Sequence, residues 1–225
     1  MERVATLIKV RGFGSTLEGK NMYPLNGTPV LEHALRTLKN ASFIDKVYVW
    51  SESKEIQALT QRLGAVPIDR PLSMVHYHSG FHSEQEFNLN SLNQMKADNN
   101  GPFEVIINFN CNYVLFRTIS LEKMFDKLMN DPTARSIIAL APVAPGLCLD
   151  NGRYGLFPFM NDANIQREDY PNIYRKLGIS MLKCGLQYAA LQKQIYLPVS
   201  REEGIDLHDE EDTLILEYHL KKQKG

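Results

Sequence analysis

Cysteine is scarce in this sequence, and the few cysteines lie far apart. Only three occur among the 225 residues, Cys111, Cys148 and Cys184. No two of them have the spacing of a metal site, and a disulfide framework uses more cysteines than these. We therefore expect reduced thiols, as in a protein of the cytoplasm.

Long hydrophobic runs are also missing. The longest apolar stretch, residues 137–149, contains two prolines and a glycine, and it falls short of the roughly 20 residues that a membrane-spanning helix needs. The apolar stretch at residues 1–10 is too short for a signal peptide. The sequence therefore predicts a protein without a membrane partner.

Neither sign of charge dominates. Lysine and arginine total 25, aspartate and glutamate total 26, and the formal net charge is −1. Binding to nucleic acid normally needs a clear basic excess, so we expect no nucleic-acid partner. A small phosphate-bearing ligand is compatible with this balance, because a few well-placed cations suffice to bind it.

Short apolar runs alternate with amphipathic segments along residues 1–225, which we interpret as one domain. We predict strands at residues 4–10, 47–50, 65–68, 103–109, 136–141, 179–183 and 195–199. We predict helices capped by Thr28, Ser53 and Ser120, and further helices at residues 83–97 and 209–222. Strands that alternate with helices form a mostly parallel sheet, so the expected fold is a three-layer α/β/α domain.

Residues 143–175 interrupt this alternation. Glycine, proline, asparagine and aspartate are dense here, and these residues favour turns over long helices or strands. We interpret the segment as an insertion in the single domain, a small protruding β-arm through which the chain forms a homodimer.

The first predicted strand leads into a loop rich in glycine and basic residues, RGFGSTLEGKN at residues 11–21. In open α/β sheets, ligands bind at the carboxyl ends of the strands. Gly12 and Gly14 let the backbone approach an anion, and Arg11 and Lys20 add positive charge. The loop has neither the Walker A pattern nor the dinucleotide-binding pattern. On its chemistry alone it is either a phosphate-binding loop or a solvated connection.

Residues 5–35, ATLIKVRGFGSTLEGKNMYPLNGTPVLEHAL, resemble the amino-terminal motif of the acylneuraminate cytidylyltransferases, the CMP-sialic acid synthetases. The positions that fit this motif are Arg11, Lys20, Asn21, Leu25, Gly27 and Pro29. Further matches follow in the family's order at residues 70–71, 117–118, 174–178 and 204–212. The similarity therefore extends over nearly the whole chain.

The resemblance implies a nucleotidyltransferase with a mostly parallel, Rossmann-like sheet. In the family's reaction a sugar hydroxyl attacks the α-phosphorus of CTP, pyrophosphate leaves and a CMP-sugar forms. The implied substrates are CTP and a sialic-acid-like sugar acid. The implied cofactor is Mg²⁺, held by carboxylates against the triphosphate.

The same resemblance implies the site residues. The catalytic residues are expected to be Arg11, Lys20 and Asp206. The residues expected to bind the nucleotide are Gly12, Gly14, Ser15, Asn21, Arg70 and Cys111. The residues expected on the sugar-acid side are Arg167 and Arg175. The candidate metal ligands are Asp206, His208 and Asp209.

The chain departs from the family's pattern at positions expected to contact ligands. His208 stands in place of an aspartate, and a neutral imidazole is a poor ligand for Mg²⁺. Cys111 and Leu177 stand in place of polar residues. Two interpretations follow. Either the chain still makes a nucleotide-activated sugar, but on a different, sialic-acid-like acid of nine carbons, or it is a catalytically impaired relative that binds a nucleotide or a partner without turnover. A further alternative is another nucleotidyltransferase activity, for example on a sugar phosphate.

Overall fold

The structure is a computed structural model that describes residues 3–13, 16–75, 84–99, 102–143, 148–150, 156–158 and 173–223. Its strands in these ranges are β1 (Val4–Lys9), β2 (Pro24–Leu25), β3 (Thr28–Pro29), β4 (Lys46–Ser51), β5 (Val66–Asp69), β6 (Val105–Phe109), β7 (Ala134–Val143), β8 (Cys148–Asp150), β9 (Leu156–Pro158), β10 (Ile173–Lys183) and β11 (Lys193–Pro198). Its α-helices are α1 (Val30–Lys39), α2 (Lys54–Arg62), α3 (Glu84–Asn99), α4 (Thr118–Asn130) and α5 (Glu210–Lys222).

Seven of these strands form one sheet, in the order β11-β7-β10-β6-β1-β4-β5. β1 pairs in parallel with β4 and β6, β4 pairs in parallel with β5, and β11 pairs in parallel with β7. Only β10 runs the other way in this sheet, antiparallel to β6 and β7. The prediction of a mostly parallel sheet is confirmed.

Helices cover both faces of the sheet. Alternate residues of β1 enter different cores, since Val4 and Ile8 belong to a larger hydrophobic cluster and Ala5 and Leu7 to a smaller one. Residues of α1, α2, α4 and α5 pack in the larger cluster, and Phe87 of α3 packs in the smaller. The predicted three-layer α/β/α architecture is confirmed. None of the described helices has the length and apolar character needed to cross a membrane.

The prediction that Thr28 caps α1 is wrong. β3 pairs with β2 across a turn in which Asn26 and Gly27 have φ of 48° and 79°. Because the Thr28 backbone belongs to this hairpin, the helix begins later, at Val30. Ser53, in contrast, caps α2 as predicted, and its hydroxyl accepts a hydrogen bond from the Ile56 N–H at 3.4 Å.

The prediction that Ser120 caps α4 is also wrong. The helix begins at Thr118, and Ser120 is buried inside its first turn. A carboxylate from the loop after β11 lies at this helix end instead. Glu203 accepts hydrogen bonds from the Arg117 N–H at 3.2 Å and from the Arg117 guanidinium at 2.7 Å. A negative charge is favourable at a helix amino terminus, so a distant residue stabilises this end.

The predicted arm lies mostly outside the described residues. In the segment 143–175 the structure describes the end of β7, the start of β10, and the strands β8 and β9, which pair antiparallel with each other. This pairing agrees with a small β-element in the insertion. The protrusion of the arm and its role in a homodimer stay predictions.

Candidate active site

Three strands place residues at one edge of the sheet. β1 and β6 are parallel neighbours, so Arg11 and residues 110–112 follow them at the same edge. The reversed strand β10 brings Gly178 to this edge, where the Asn110 N–H donates to the Gly178 carbonyl at 3.0 Å. A Cβ on Gly178 would lie 2.9 Å from the Cβ of Asn110, which explains why the residue is glycine. The carboxyl edge of a parallel sheet is the usual place for a ligand.

A cavity of about 740 Å³ opens at this edge, and we call it the first cavity. Its volume is typical of small-molecule sites. Its basic lining residues are Lys9, Arg11, Lys20, Arg70 and Lys176. Its asparagines are Asn21, Asn88, Asn108, Asn110 and Asn112. Within the described part of the chain its lining includes no acidic side chain. This concentration of positive charge and amide donors suits a polyanionic ligand.

The beginning of the glycine-rich loop is bonded to the entry of α2. The Gly12 N–H donates to the Glu52 carboxylate at 2.6 Å. A Cβ on Gly12 would lie 2.8 Å from the Cβ of Ser53, so only glycine allows this approach. The amide that we expected to contact a phosphate therefore already has an anionic partner.

The end of the same loop forms a short 3-10 helix, Lys20–Met22, which begins behind Gly19 at φ +61°. The Lys20 ammonium donates to the Leu207 carbonyl at 3.0 Å. The Asn21 amide donates to the Arg11 carbonyl at 2.7 Å. The loop is therefore bonded to Glu52 near its beginning and to the segment before α5 at its end. Asn21 bonds the end of the loop to its beginning.

Arg70 is held rigidly beside the first cavity. Its Nε and Nη2 donate to the Met74 carbonyl at 2.9 and 2.6 Å. Its guanidinium lies 4.6 Å from the ring centroid of Trp50 and 5.7 Å from that of Phe87. Burial lowers the pKa of Arg70, although the nearby Glu52 charge opposes the shift. A planar cation stacked in this way is suited to a phosphate or a nucleotide base.

Asp206 lies where the segment before α5 meets the loop after β6. The next residue, Leu207, donates its N–H to the Asn112 carbonyl at 3.2 Å and accepts the Lys20 hydrogen bond. The Asp206 Oδ2 lies 3.2 Å from the His208 Nε2. Its Oδ1 is buried and accepts no hydrogen bond of good geometry from the residues that the structure describes. The Tyr113 hydroxyl nevertheless lies beside this carboxylate, since burial and then the Asp206 charge raise the pKa of Tyr113.

A second cavity, of about 700 Å³, lies against the same segment. Its charged and ionisable lining residues are Arg175, Arg201, Glu202, Asp206, His208, Asp209, Asp212 and His219. The Arg175 guanidinium donates to the Gly204 carbonyl, which fixes it in this wall. Asp206 thus lines the second cavity one residue away from Leu207, whose backbone bonds to residues of the first.

The candidate metal ligands differ in how well they suit Mg²⁺. The buried carboxylate of Asp206, which lies beside the Tyr113 hydroxyl, is a suitable hard oxygen ligand. The Asp209 carboxylate instead accepts the Asp212 N–H at 3.1 Å and caps α5. Among the described residues there is no group of three or more His, Cys, Asp or Glu arranged to hold a metal. One carboxylate together with substrate phosphates fits Mg²⁺, which commonly binds in this way.

The structure brings most of the implied site residues into the two cavities. The first cavity contains Arg11, Lys20, Asn21, Arg70 and Cys111. The second contains Arg175, Asp206, His208 and Asp209. Gly12 is bonded to Glu52 beside the first cavity. Gly14, Ser15 and Arg167 lie outside the described residues.

Sequence reasoning missed several lining residues. Asn108 and Ser180 lie directly opposite each other on β6 and β10 and both line the first cavity. Asn108 carries a signal that was available, because it is the one polar residue of the strand VIINF. Lys176 also lines this cavity but carries no such signal, since its position depends on the reversal of β10. Trp50 does not line the cavity, and its stacking with the lining residue Arg70 carries no local signal either.

A family model described as Cytidylyltransferase matches residues 5–145 of the chain. This range contains β1, β4, β5, β6 and most of the first cavity's wall. Curated relatives extend the similarity further. The 8-amino-3,8-dideoxy-manno-octulosonate cytidylyltransferases of Shewanella baltica strains OS155 and OS185 are each 24% identical to it over 239 residues, covering 97% of the chain and 87% of each relative.

Solved structures share the fold over 98% of the chain. A CMP:2-keto-3-deoxy-manno-octonic acid synthetase complexed with CTP superposes with a TM-score of 0.68 at 13% identity, covering 98% of this chain and 99% of that one. A 4-diphosphocytidyl-2C-methyl-D-erythritol synthase superposes with a TM-score of 0.68 at 12% identity, covering 98% and 100%. The three-layer α/β/α fold is therefore one that other proteins of known structure also adopt.

Proposed function

Because the chain belongs to the cytidylyltransferase family, we propose that it transfers CMP from CTP to a sugar acid and releases pyrophosphate. The observation that carries this proposal is the first cavity. Five basic side chains line it, and no acidic one does within the described residues. A triphosphate carries the charge that such a cavity attracts.

The roles of the basic residues follow from the charge changes in this reaction. An acceptor hydroxyl oxygen releases its proton to solvent and bonds to the α-phosphorus, and the bond from that phosphorus to the oxygen bridging to the β-phosphate breaks, so pyrophosphate leaves. Negative charge then increases on the departing pyrophosphate, where Arg11 and Lys20 stabilise it. An ammonium has three N–H donors, and the described structure uses one of those of Lys20, on the Leu207 carbonyl.

We assign the acceptor to the second cavity. Arg175 and Arg201 line it, and guanidinium groups bind a carboxylate through paired hydrogen bonds. Asp206 lines this cavity, and the adjoining Leu207 is bonded to Lys20 and Asn112 of the first. An acceptor held here reaches the nucleotide near Asp206.

The relatives favour an eight-carbon acceptor over the nine-carbon one that the sequence resemblance implies. The Shewanella baltica relatives are named for an 8-amino-3,8-dideoxy-manno-octulosonate, and one structural neighbour is named for 2-keto-3-deoxy-manno-octonic acid. We therefore propose a 3-deoxy octulosonate as the first acceptor to test and a sialic acid as the second.

We propose Mg²⁺ as the cofactor and Asp206 as its protein ligand. The support is the buried Oδ1 of Asp206, which accepts no hydrogen bond of good geometry from the described residues. When bound, Mg²⁺ neutralises phosphate charge and orients the triphosphate. His208, at 3.2 Å from Oδ2, orients the carboxylate and is not itself proposed as a ligand.

A second candidate function is nucleotide binding without turnover. One observation favours it: the Gly12 N–H, which an active phosphate-binding loop would offer to the nucleotide, is bonded to Glu52 at 2.6 Å. In this case the first cavity still attracts a nucleotide, but the loop does not close on its phosphates.

We also propose, from the sequence alone, that the chain forms a homodimer through residues 143–175 and is located in the cytoplasm. Light scattering of the full chain, compared with a chain in which these residues are replaced by a short linker, tests the dimer. A mass of about twice 25.7 kDa for the full chain is the expected result.

Pyrophosphate release separates the two candidate functions. The chain is incubated with CTP, Mg²⁺ and one of three acids: 3-deoxy-manno-octulosonate, its 8-amino derivative or N-acetylneuraminate. We expect release with one of these acids and a loss of roughly tenfold or more in Lys20→Ala, because a charged phosphate contact is removed. Lys39→Ala is the matched control, since Lys39 also donates to a backbone carbonyl, that of Leu63 at 2.7 Å, but lines neither cavity.

The outcomes differ clearly. Binding of CTP in calorimetry, with no pyrophosphate released with any acid, supports the second candidate. Absence of both binding and release refutes the proposed function. Equal activity of Lys20→Ala and Lys39→Ala refutes the role given to Lys20.

A further inference from the structure

A buried thiol contacts the amide that supports the loop of the first cavity. Cys111 follows β6 and is 2% exposed. Its Sγ donates to the Asn21 Oδ1 at 3.2 Å. The Nδ2 of the same Asn21 amide donates to the Arg11 carbonyl at 2.7 Å. These two hydrogen bonds connect the loop after β6 to the loop after β1 through one side chain.

The directions of these hydrogen bonds depend on one another. A backbone carbonyl only accepts, so the Asn21 Nδ2 must face Arg11. The Oδ1 of Asn21 then faces Cys111, and the thiol must donate to it. Burial raises the pKa of Cys111 to about 12, although the Lys20 charge opposes this shift. The thiol therefore stays protonated at neutral pH, as a donor must.

We propose that Cys111 is a positioning residue of the nucleotide site, acting through Asn21 on the backbone that carries the Arg11 side chain. The thiol holds the Asn21 amide in one orientation, and that amide holds the Arg11 carbonyl. Arg11 thereby enters the first cavity from a fixed backbone. This inference rests on the proposed function only in taking CTP as the ligand of the cavity.

Simple packing is the alternative to this role. A buried cysteine often behaves as a small hydrophobic residue, and Cys111 also belongs to the larger hydrophobic cluster. Packing and positioning predict different responses to substitution. Serine keeps a donor but is more polar, whereas alanine keeps the apolar character but leaves the buried Asn21 Oδ1 without a donor.

The infrared S–H stretching band tests the hydrogen bond without any ligand. Subtracting the spectrum of the Cys111→Ala variant from that of the unaltered chain isolates the S–H band of Cys111. Cys184→Ala isolates the matched control band, since the Cys184 thiol donates to the Leu182 carbonyl at 3.4 Å and makes no bond to Asn21. We expect the Cys111 band to shift to higher wavenumber in Asn21→Leu, which keeps the side-chain shape, and the Cys184 band to stay in place. An unshifted band in Asn21→Leu overturns the proposal.

CTP affinity tests the functional part in the same variants. We expect roughly tenfold weaker binding in Cys111→Ala, an affinity within about threefold of the full chain in Cys111→Ser, and no change in Cys184→Ala. The double variant Cys111→Ala/Asn21→Leu should bind no more weakly than Asn21→Leu alone, because the thiol acts through that amide. Additive losses, or equal losses in the alanine and serine variants, overturn the proposal. If the unaltered chain fails to bind CTP, the proposed function fails and the infrared result alone decides the role of Cys111.

Discussion

Replacement of Glu203 by glutamine tests how the segment that carries Asp206 is attached to the core. The Glu203 side chain is 1% exposed. One of its oxygens accepts the Arg117 N–H at 3.2 Å. The other accepts the Arg117 guanidinium at 2.7 Å and the Ser200 N–H and hydroxyl at 3.2 and 3.0 Å. Glutamine keeps the shape but converts one acceptor oxygen into a donor NH₂, so contacts at that atom become donor against donor.

The magnitude follows from these contacts. A hydrogen bond to a charged group contributes about 1.5–3 kcal/mol, and an unsatisfied buried partner costs a similar amount. Arg117 is 55% exposed and regains water when its partner is lost, which reduces the total. We expect the free energy of unfolding to fall by about 3 kcal/mol. For a chain of this length that lowers Tm by roughly 6–12 °C.

Urea denaturation measures this change as a lower midpoint at an unchanged m-value. The matched control is Glu202→Gln, because Glu202 is the adjacent glutamate and is exposed. Its free energy of unfolding should stay within about 0.5 kcal/mol of the unaltered chain. An effect of Glu203→Gln no larger than that of the control refutes the reasoning.

The pH dependence provides an independent check on Glu203. Burial by itself raises the pKa of Glu203, but hydrogen bonds from Arg117, Ser120 and Ser200 outweigh it, and the net shift is downward. A carboxylate with a lowered folded-state pKa contributes stability above its unfolded pKa, about 4.3, and loses that contribution as the pH falls through the folded value. The stability gap to Glu203→Gln should therefore be constant at about pH 5–8 and narrow below about pH 4. A gap that persists unchanged in acid contradicts the assignment.

Three further predictions use other contacts. Gly204→Ala places a Cβ 2.2 Å from that of Ala141, so the free energy of unfolding should fall by about 3 kcal/mol. In urea denaturation, the double variant Gly204→Ala/Ala141→Gly should regain most of this lost free energy. Arg70 stacks on the chain's single tryptophan, so CTP should change the tryptophan fluorescence, and Arg70→Lys should abolish the change; an equal signal in that variant argues against contact. Ser53→Ala removes the α2 cap and should lower Tm by roughly 2–4 °C in a thermal scan, whereas no shift would show that the cap is redundant.

The strands were largely predictable because buried strands consist mainly of apolar, β-branched residues. The run predicted at residues 4–10 is β1, Val4–Lys9, and the run predicted at 103–109 contains β6, Val105–Phe109. The reversal of β10 was not predictable, since periodicity records which face of a strand is buried and not which strands are neighbours. The helix start at Thr118 was missed because its anionic partner, Glu203, lies 86 residues away from Arg117.

From residue chemistry alone the site was predictable only where one local motif contains it, whereas Arg70, Cys111 and Arg175 were expected only from the family resemblance. Arg11, Lys20 and Asn21 belong to a single stretch of chain and meet in the first cavity. The capture of the Gly12 amide by Glu52 joins residues 40 apart, and no local pattern indicates it. Lys176 reaches the cavity only because β10 is inserted antiparallel between β6 and β7.

Leu207 joins the two cavities by its backbone alone, with the N–H bonded to Asn112 and the carbonyl bonded to Lys20. An anion that binds the Lys20 ammonium competes with the Leu207 carbonyl for it. When the bond between Lys20 and Leu207 is lost, the segment that carries Asp206 is affected as well. Thermodynamic linkage is reciprocal, so a ligand of one cavity that changes the affinity of the other cavity by some factor has its own affinity changed by the same factor. A dissociation constant measured with one substrate alone therefore does not apply when the other substrate is also bound.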